Sequence, residues 1–316
     1  MILTVTLNPA YDITYGIDRL KPGTVHRVAS VRQRVGGKGV NVARVLHSLG
    51  VSVLATGLAS TEFAVEAEHE LPADFVLGLP WVRRTIVIQE TGDGHATTGL
   101  WEPGATPDAS AVDRLSTRVR GLLGRTRGLV ISGSLPPHVD SELPALLARM
   151  AVGAGIPTIC DVSGAALRHA ARVPGVVLMP NADELSELTG TAPHSPAEVV
   201  AAAQPLLDAG VGAVIATRGA DGMVAATGTG SWSAVVSQPI TGNTTGAGDA
   251  AAAAVITGLA ADRMPEVPAL LAAAVATSAA SVAAPLAGEI DHRLRERLLP
   301  TVPVRRVPGP EREEKP

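Results

Sequence analysis

The chain has 316 residues, of which 46% are hydrophobic and only 2% aromatic, and its formal net charge is -4 at pH 7. This length and apolar content suit a globular protein with one large domain. The negative charge and the scarcity of aromatic side chains argue against nucleic-acid binding, which relies on a basic field and on stacking. The composition therefore favours a small-molecule partner.

Cysteine content and hydropathy indicate the expected compartment. Cys160 is the single cysteine, which excludes an internal disulfide, and no Cys/His spacing of the zinc type occurs. The start, MILTVTLNPAYD, lacks a basic stretch followed by a long apolar segment, and glycines and charges interrupt the later apolar runs. We therefore expect a cytoplasmic protein without a membrane partner.

Apolar strand-like runs alternate with helix-like segments along the chain. The predicted strands cover residues 2–7, 51–57, 128–133, 157–162, 175–180 and 212–219. The predicted helices cover residues 42–49, 111–123, 143–151, 196–207, about 250–261 and 270–288. This order predicts an α/β fold with a mainly parallel sheet that is covered by helices on both faces.

Two segments depart from this alternation. Residues 10–35 and about 83–102 show strand-type periodicity without intervening helices, and the second segment contains the turn sequence TGDG. They predict a small antiparallel sheet that forms a lid on the main domain. Residues 303–316 are proline-rich and charged, which predicts a flexible tail and limits the folded domain to residues 1–302.

The stretch TTGAGDA, residues 244–250, places one carboxylate at the start of an alanine-rich helix. Its glycines allow close approach of the backbone, and the first N–H groups of a helix form an anion site. Asp249 would be stabilised there by the helix dipole, and it could serve only as a helix cap. The spacing alone leaves both interpretations open.

A second glycine cluster, VGGKGVNVARVLHSLG, covers residues 35–50. It lacks the GxxxxGK[ST] spacing of a phosphate loop and the GxGxxG spacing of a dinucleotide fold. Twin glycines before Lys38 and Asn41 suit a site where the backbone approaches a polyhydroxylated ligand. A tight turn from the lid into a helix would use the same residues without any ligand.

Six motifs, taken together, resemble those of the ribokinase-like (PfkB) sugar kinases, and TLNPAYD is similar to the branch of 1-phosphofructokinase and tagatose-6-phosphate kinase. The motifs are TLNPAYD at 6–12, GGKGVN at 36–41, SGSLPP at 132–137, PNADE at 180–184, TRGADG at 217–222 and TTGAGDA at 244–250. The resemblance spans about residues 3–290. It implies a three-layer αβα ribokinase-like core with a mainly parallel sheet and a small β-sheet lid. Since that lid often forms a dimer interface, a homodimer through the lid is implied as well.

The resemblance also implies roles for individual residues. Asp249 corresponds to the catalytic base, and the backbone of Gly246, Ala247 and Gly248 corresponds to the anion hole. The implied substrate-binding residues are Asp12, Gly36, Gly37, Lys38, Asn41, Arg84 and Ser134. The implied ATP-binding residues are Asn181, Thr217, Gly219, Gly222 and Thr245. Glu184 would act on Mg²⁺ through water.

The implied reaction is phosphoryl transfer from ATP, with Mg²⁺, to a sugar phosphate: fructose 1-phosphate is favoured and tagatose 6-phosphate comes next. Such a reaction needs neutralisation of the γ-phosphate and a base near the nucleophile, which helix amides, Mg²⁺ and a carboxylate supply.

Three departures from the branch pattern concern the substrate. RRTIVIQE at 83–90 leaves Arg83 or Arg84 as the phosphate contact, residues 58–71 lack the expected glycine and acidic pattern, and Met179 replaces a usual lysine. A kinase for an unphosphorylated sugar or a nucleoside therefore stays open as an alternative, as does a non-catalytic sugar or nucleotide sensor.

Overall fold

The computed structural model describes residues 1–92 and 97–309. Its strands are β1 (Ile2–Thr6), β2 (Ala10–Ile17), β3 (Ser30–Gly36), β4 (Val53–Ala59), β5 (Val76–Leu77), β6 (Arg83–Glu90), β7 (Thr97–Trp101), β8 (Gly128–Ser132), β9 (Thr158–Asp161), β10 (Val177–Leu178), β11 (Ala213–Thr217), β12 (Met223–Thr227), β13 (Gly230–Ala234) and β14 (Val304–Val307). Its α-helices are α1 (Lys38–Ser48), α2 (Thr61–Glu70), α3 (Ala111–Leu122), α4 (Leu143–Gly153), α5 (Gly164–Ala170), α6 (Ala182–Thr189), α7 (Pro196–Asp208), α8 (Ala247–Leu259), α9 (Val267–Val282) and α10 (His292–Leu298).

A ten-stranded sheet forms the centre of the molecule, in the order β14-β13-β12-β11-β10-β9-β8-β1-β4-β5. Within this sheet, the adjacent strands β11, β10, β9, β8, β1, β4 and β5 run parallel. Every residue of β1 and β8 is buried, as expected for central strands with helices on both faces. The predicted α/β fold is confirmed.

The sheet extends further at one edge than the sequence predicts. Strands β12, β13 and β14 continue it in antiparallel pairing beyond β11. The flexible tail predicted from residue 303 is therefore wrong for Val304–Val307, where Val307 is buried. Prolines and charges are tolerated on a short edge strand, and they hid this strand from the sequence pattern. Residues 310–316 of the predicted tail lie outside the described residues.

The lid is a separate four-stranded sheet in the order β3-β2-β6-β7. Its outer pairs are antiparallel, but β2 and β6 pair in parallel, so the prediction of an antiparallel sheet is wrong for the central pair. Both strands follow a strand of the main sheet, β1 and β5, and both leave the core in the same direction. The predicted TGDG turn includes residues 93 and 94, which lie outside the described residues.

Two alanine-rich helices, α8 and α9, pack against each other and against strands of the ten-stranded sheet. Helix α9 ends at Val282 rather than at residue 288, because Pro285 cannot continue a helix. Residues 283–291 instead form a loop that we call the α9–α10 loop. Within residues 1–92 and 97–309, none of the helices combines the length and the apolar character that crossing a membrane requires.

The carboxyl ends of the parallel strands meet along one edge of the sheet, which is where ligands bind in open α/β folds. Thr6, Ser132 and Asp161 end the adjacent strands β1, β8 and β9. The lid strand β2 and the helix α1 begin next to this edge. The topology therefore gathers the glycine clusters, the lid and the strand ends in one place.

We predict that removing residues 303–316 destabilises the protein, whereas removing only residues 310–316 does not. The longer truncation deletes β14, exposes the edge of β13 and loses the burial of Val307, which corresponds to about 1.5–3 kcal/mol. Urea unfolding of both truncated proteins measures the difference. Equal midpoints for the two truncations would show that β14 adds nothing to stability.

Candidate active site

A helix N-terminus without a side-chain cap lies at the centre of the site. Helix α8 begins at Ala247, directly after Gly246, and no side chain caps its first N–H groups. Gly246 has a φ of 87°, and a Cβ atom there would lie 3.0 Å from the Cα of Ala287, so this position needs glycine. Backbone N–H groups in this arrangement bind anions. Ala247 and Gly248 thus start the helix that the sequence predicts at about residue 250.

Asp249 lies in the first turn of α8 and is 5% exposed. Burial raises the pKa of its carboxyl to about 7, with a further contribution from repulsion by Asp161, while the charge of Lys38 acts in the opposite direction. The N-cap position belongs to Gly246, so Asp249 is not the cap that its spacing allowed. A buried carboxyl with this pKa can exchange a proton near neutral pH.

Lys38 is the main positive charge beside Asp249. It is the first residue of α1, and its Nζ lies 2.8 Å from Oδ1 of Asp161 at the end of β9. Burial by itself would lower the pKa of Lys38, but attraction to Asp161, Glu184 and Asp249 raises it above its ordinary value. Lys38 is therefore charged and held against a buried carboxylate.

Asp161 is a site residue that the sequence analysis missed. It follows the apolar run of β9, and a single charge after a buried strand was the available signal. The stretch PTICDV has the apolar pattern of a buried strand, and this pattern alone does not mark its aspartate as a site residue.

Asn181 and Glu184 form a capping box at the start of α6. The Asn181 side chain accepts a hydrogen bond from the Glu184 N–H at 2.8 Å, and the Glu184 carboxylate accepts one from the Asn181 N–H at 2.9 Å. Burial raises the pKa of Glu184, although Lys38 attracts its charged form. This reciprocal bonding explains the pair structurally and also fixes the Glu184 carboxylate near Lys38.

Asp12 lies on the lid strand β2 and is fixed by hydrogen bonds from two sides. Thr85 Oγ1 donates to its Oδ1 at 2.5 Å, and Asn41 Nδ2 donates to its Oδ2 at 3.1 Å. A Cβ atom on Gly36 would lie 2.1 Å from Oδ2 of Asp12, so the first of the twin glycines makes room for this carboxylate. Gly37 follows it at the N-cap of α1. Asp12 in turn makes a small contribution to the raised pKa of Asp249, so the lid carboxylate acts electrostatically on the start of α8.

The two lid arginines lie on opposite faces of the lid. Arg84 pairs in register with Tyr11, is 59% exposed, and binds Glu102 through Nη2 at 2.6 Å and Nε at 3.0 Å. Arg83 lies two positions from Thr85, which pairs with Asp12, so Arg83 and Asp12 lie on the same face of the lid. Burial lowers the pKa of Arg83, and the charge of Asp12 acts in the opposite direction. Strand alternation thus directs Arg83, and not Arg84, to the face of Asp12, and the role of Arg84 in substrate binding stays a prediction.

Ser134 lies in the loop after β8 and is tied to the loop after β1. Nδ2 of Asn8 approaches Ser134 Oγ at 3.2 Å, the Leu135 carbonyl oxygen at 3.2 Å and the Pro103 carbonyl oxygen at 3.0 Å. Nothing within the motif TLNPAYD distinguishes Asn8, yet in the structure it joins three loops at the carboxyl edge of the sheet. Ser134 is thereby fixed at the same edge as the other predicted residues.

A cavity of about 420 Å³ lies beside the N-terminus of α8. Its lining includes Ala247, Gly248 and four predicted ATP-binding residues, which are Asn181, Thr217, Gly219 and Gly222. One wall is apolar; it is formed by Val235, Val236, Pro239, Ile240, Val275, Ala279 and Val282. Among the described residues, Thr244 rather than Thr245 lines the cavity. The N–H of Thr245 instead donates to Oδ1 of Asn243 at 3.0 Å.

The other two departures from the branch pattern form ordinary structure. Met179 is 3% exposed and packs in the core, so it does not reach the site as a charged residue would. Residues 58–71 contain the end of β4 and helix α2, where Ser60 caps the helix and Phe63 is fully buried.

Within the described part of the chain, no three His, Cys, Asp or Glu side chains come together as a metal-binding group. The hard oxygen donors near Lys38 suit Mg²⁺ that keeps its waters and binds mainly to phosphates, since Mg²⁺ rarely uses an all-protein cage. The residues therefore fit Mg²⁺ only as a companion of a phosphorylated ligand.

Comparison with known proteins agrees with this geometry. The family model described as "pfkB family carbohydrate kinase" matches residues 5–292. Phosphofructokinase-2 from Escherichia coli, in complex with substrates and products, is 27% identical with a TM-score of 0.84, over 95% of this chain and 98% of that one. A possible 1-phosphofructokinase from Thermotoga maritima is 23% identical with a TM-score of 0.87, over 97% and 99% of the two chains. Ribokinase from Arabidopsis thaliana, complexed with ribose and ATP, is 21% identical with a TM-score of 0.72, over 94% and 98%.

The last two proteins share the fold with this chain, and the family match covers most of its length. The resemblance inferred from the six motifs is thus confirmed. The chain belongs to the pfkB family of carbohydrate kinases.

Proposed function

We propose that this carbohydrate kinase transfers the γ-phosphoryl group of MgATP to a hydroxyl of a ketohexose phosphate. The observation that best supports this is the position of Asp249. It is buried in the first turn of α8, next to the cavity that Gly248 lines, and its pKa responds to Asp12 on the lid. A proton acceptor thus stands between a candidate nucleotide site and a candidate sugar site.

In the proposed reaction the acceptor hydroxyl attacks the γ-phosphorus while the bond from that phosphorus to the β–γ bridging oxygen breaks, and ADP leaves. Asp249 takes the hydroxyl proton. The N–H groups at the start of α8 and the ammonium group of Lys38 stabilise the negative charge on the transferring group. Mg²⁺, held through water by Glu184, would neutralise the phosphates when bound.

The nucleotide would occupy the cavity beside α8. Its apolar wall suits a purine base, and its polar part, at Asn181, Thr217, Gly219 and Gly222, suits the ribose and phosphates. The cavity opens onto Ala247 and Gly248, which is the position required for a γ-phosphate at the helix N-terminus.

The acceptor would lie under the lid. Asp12 and Asn41 are fixed to each other and offer groups that hold sugar hydroxyls. Arg83 lies on the same lid face as Asp12. Its Nε and Nη1 donate to the carbonyl oxygens of Asn8 and Glu102 at 3.4 and 3.0 Å, so we propose that its Nη2 binds a phosphate oxygen of the acceptor, which favours a phosphorylated sugar. We favour fructose 1-phosphate and then tagatose 6-phosphate. Fructose 6-phosphate is the third candidate, because it is bound in a structure of the E. coli phosphofructokinase-2.

We further propose that two copies of the chain associate through their lids. Val31, Leu100 and Trp101 are 60%, 54% and 68% exposed on the outermost lid strands β3 and β7. Apolar side chains at the edges of a small sheet favour burial against another protein surface. For comparison, a tetrameric inhibited form of the E. coli phosphofructokinase-2 has been solved.

The test of the proposed function is ADP release from MgATP with fructose 1-phosphate, tagatose 6-phosphate, fructose 6-phosphate, fructose or ribose as the acceptor. We expect turnover with one phosphosugar and a fall in kcat of about 10²- to 10⁴-fold in Asp249→Asn, since the base is lost. Asp113→Asn is the matched control, because Asp113 lies in the first turn of α3 on the surface.

Other outcomes of this assay select the alternatives. Turnover with only fructose or ribose would replace the phosphosugar with an unphosphorylated acceptor. Ligand-induced thermal stabilisation without ADP release from any acceptor would support a sensor. Unchanged kcat in Asp249→Asn would exclude Asp249 as the base.

We predict that kcat/KM rises with pH through about 7 and levels off above it, because the carboxyl of Asp249 must lose its proton before it can act as a base. The positive charge of Lys38 lowers this pKa, so Lys38→Met should move the rising limb to higher pH, whatever its effect on the maximal rate. Initial rates across pH 5–9 measure both profiles. A wild-type profile that is already flat from pH 5 upward, as expected for an exposed carboxyl with a pKa of about 4, would contradict the assignment.

We predict that Arg83→Ala raises KM for the phosphorylated acceptor by about 10- to 100-fold, since a charge-assisted contact to phosphate is lost. Arg84→Ala should leave KM almost unchanged, because Arg84 binds Glu102 on the other lid face. Steady-state kinetics on both variants provide the measurement. The reverse order of effects would restore Arg84 as the phosphate contact.

A further inference from the structure

Arg34 extends from the lid to the core of the protein. The first four residues of β3 are exposed, and Arg34 is the position at which the strand enters the protein, with 13% of its side chain exposed. Its Nη1 lies 2.9 Å from Oε1 of Glu289, and its Nη2 donates to the carbonyl oxygen of Ala287. One guanidinium group thus binds the α9–α10 loop at two points.

The α9–α10 loop lies against Gly246, the first residue of the segment Gly246–Gly248, which we call the anion-binding loop. Ala287 is the residue that a Cβ atom on Gly246 would meet, at 3.0 Å. The carbonyl oxygen of Pro285 accepts a hydrogen bond from Nδ2 of Asn243 at 3.3 Å, and Oδ1 of Asn243 accepts one from the N–H of Thr245 at 3.0 Å. The loop that Arg34 holds therefore contacts the approach to α8 on both sides of Thr244.

The same loop also borders the sugar side of the site. A Cβ atom on Gly288 would lie 3.0 Å from Oδ1 of Asn41, the residue whose amide binds Asp12. Arg34 lies opposite Asp12 in the pairing of β2 with β3. The α9–α10 loop is thus in contact with both halves of the proposed reaction centre, and Arg34 joins it to the lid.

The contact between Arg34 and the α9–α10 loop depends on the charge of Glu289. Burial and the nearby charge of Arg44 lower the pKa of Arg34, and Glu289 acts in the opposite direction. Removing Glu289 would leave a largely buried guanidinium group beside a second one, and such an arrangement is unfavourable. Glu289 compensates the charge of the largely buried Arg34, and it can do so only while the lid contacts the α9–α10 loop.

We propose that Arg34 and Glu289 form an ionic clasp through which the lid positions the backbone N–H groups at the start of α8. Arg34 is then a positioning residue, since it touches neither the reacting atoms nor the anion-binding loop itself. This inference rests on the proposed function for its effect on catalysis, but not for its effect on the free protein.

The test uses the full chain with Arg34→Ala, Glu289→Gln and the double variant, and with Arg32→Ala as the matched control. Arg32 lies on the same strand but is exposed. Hydrogen exchange by mass spectrometry reports directly on residues 243–250 in the free protein. We expect faster exchange there in Arg34→Ala and in Glu289→Gln, no further increase in the double variant, and no change in Arg32→Ala.

Turnover provides the second measurement. We expect kcat in Arg34→Ala to fall by about 10- to 100-fold, with a smaller change in KM for the acceptor. The reason is that loss of the clasp displaces the N–H groups at the start of α8, which act on the transferring phosphoryl group and not on the acceptor. The exchanged pair, Arg34→Glu with Glu289→Arg, should have a higher kcat than either of these changes alone. A merely structural loss would not give this recovery. Thermal unfolding of each variant identifies those that fail to fold.

The outcomes separate the clasp from the proposed function. No turnover in the wild-type protein, together with faster exchange at 243–250 in Arg34→Ala, would overturn the kinase reaction and support the clasp. Unchanged exchange at 243–250 in Arg34→Ala, or additive effects of the two single changes, would overturn the clasp whatever the turnover of the wild type.

Discussion

The structure of the site depends on one electrostatic constraint: three carboxylates, of which Asp161 and Asp249 are buried, act on the single ammonium group of Lys38. Asp161, Glu184 and Asp249 all influence the pKa of Lys38, and Asp161 binds it directly at 2.8 Å. Negative charge therefore exceeds positive charge in a place that water does not fully reach, and each carboxyl is harder to ionise than on the surface. Burial and, after it, repulsion by Asp161 therefore raise the pKa of the Asp249 carboxyl to about 7.

The excess of negative side chains also affects the binding of a polyphosphate. A site with more negative than positive side chains repels free ATP, so the compensating charge has to come from the helix N-terminus, from Lys38 and from the cation that accompanies the nucleotide. The uncapped start of α8 supplies the free helix N-terminus, because Gly246 forms the turn without adding a side chain. A capping side chain, as Asn181 provides for α6, would compete with the phosphate for these N–H groups.

The fold supplies this arrangement through its connectivity. Strands β1, β8 and β9 run parallel and adjacent, so the residues that follow them meet at one edge of the sheet although they are far apart in the sequence. The lid strands leave from the same edge and bring Asp12 and Arg83 over it. The α9–α10 loop closes the arrangement from the other side through Ala287 and Glu289. The sheet edge, the lid and the α9–α10 loop thus surround the residues of the candidate site.

Local signals in the sequence determined much of this protein. The alternation of strands and helices, the glycine loop before α8 and the family of the protein could all be predicted, because periodicity, turn chemistry and motif order act over short distances. The roles inferred for Asp249, Lys38 and Asn41 stay predictions, although these residues do lie together. The tertiary structure alone decided which side chain meets which. Strand register directed Arg83 rather than Arg84 to the side of Asp12, and pairing with β13 ordered Val304–Val307. Packing of remote segments joined Lys38 to Asp161 and Arg34 to Glu289, and no local pattern records contacts between residues more than a hundred positions apart.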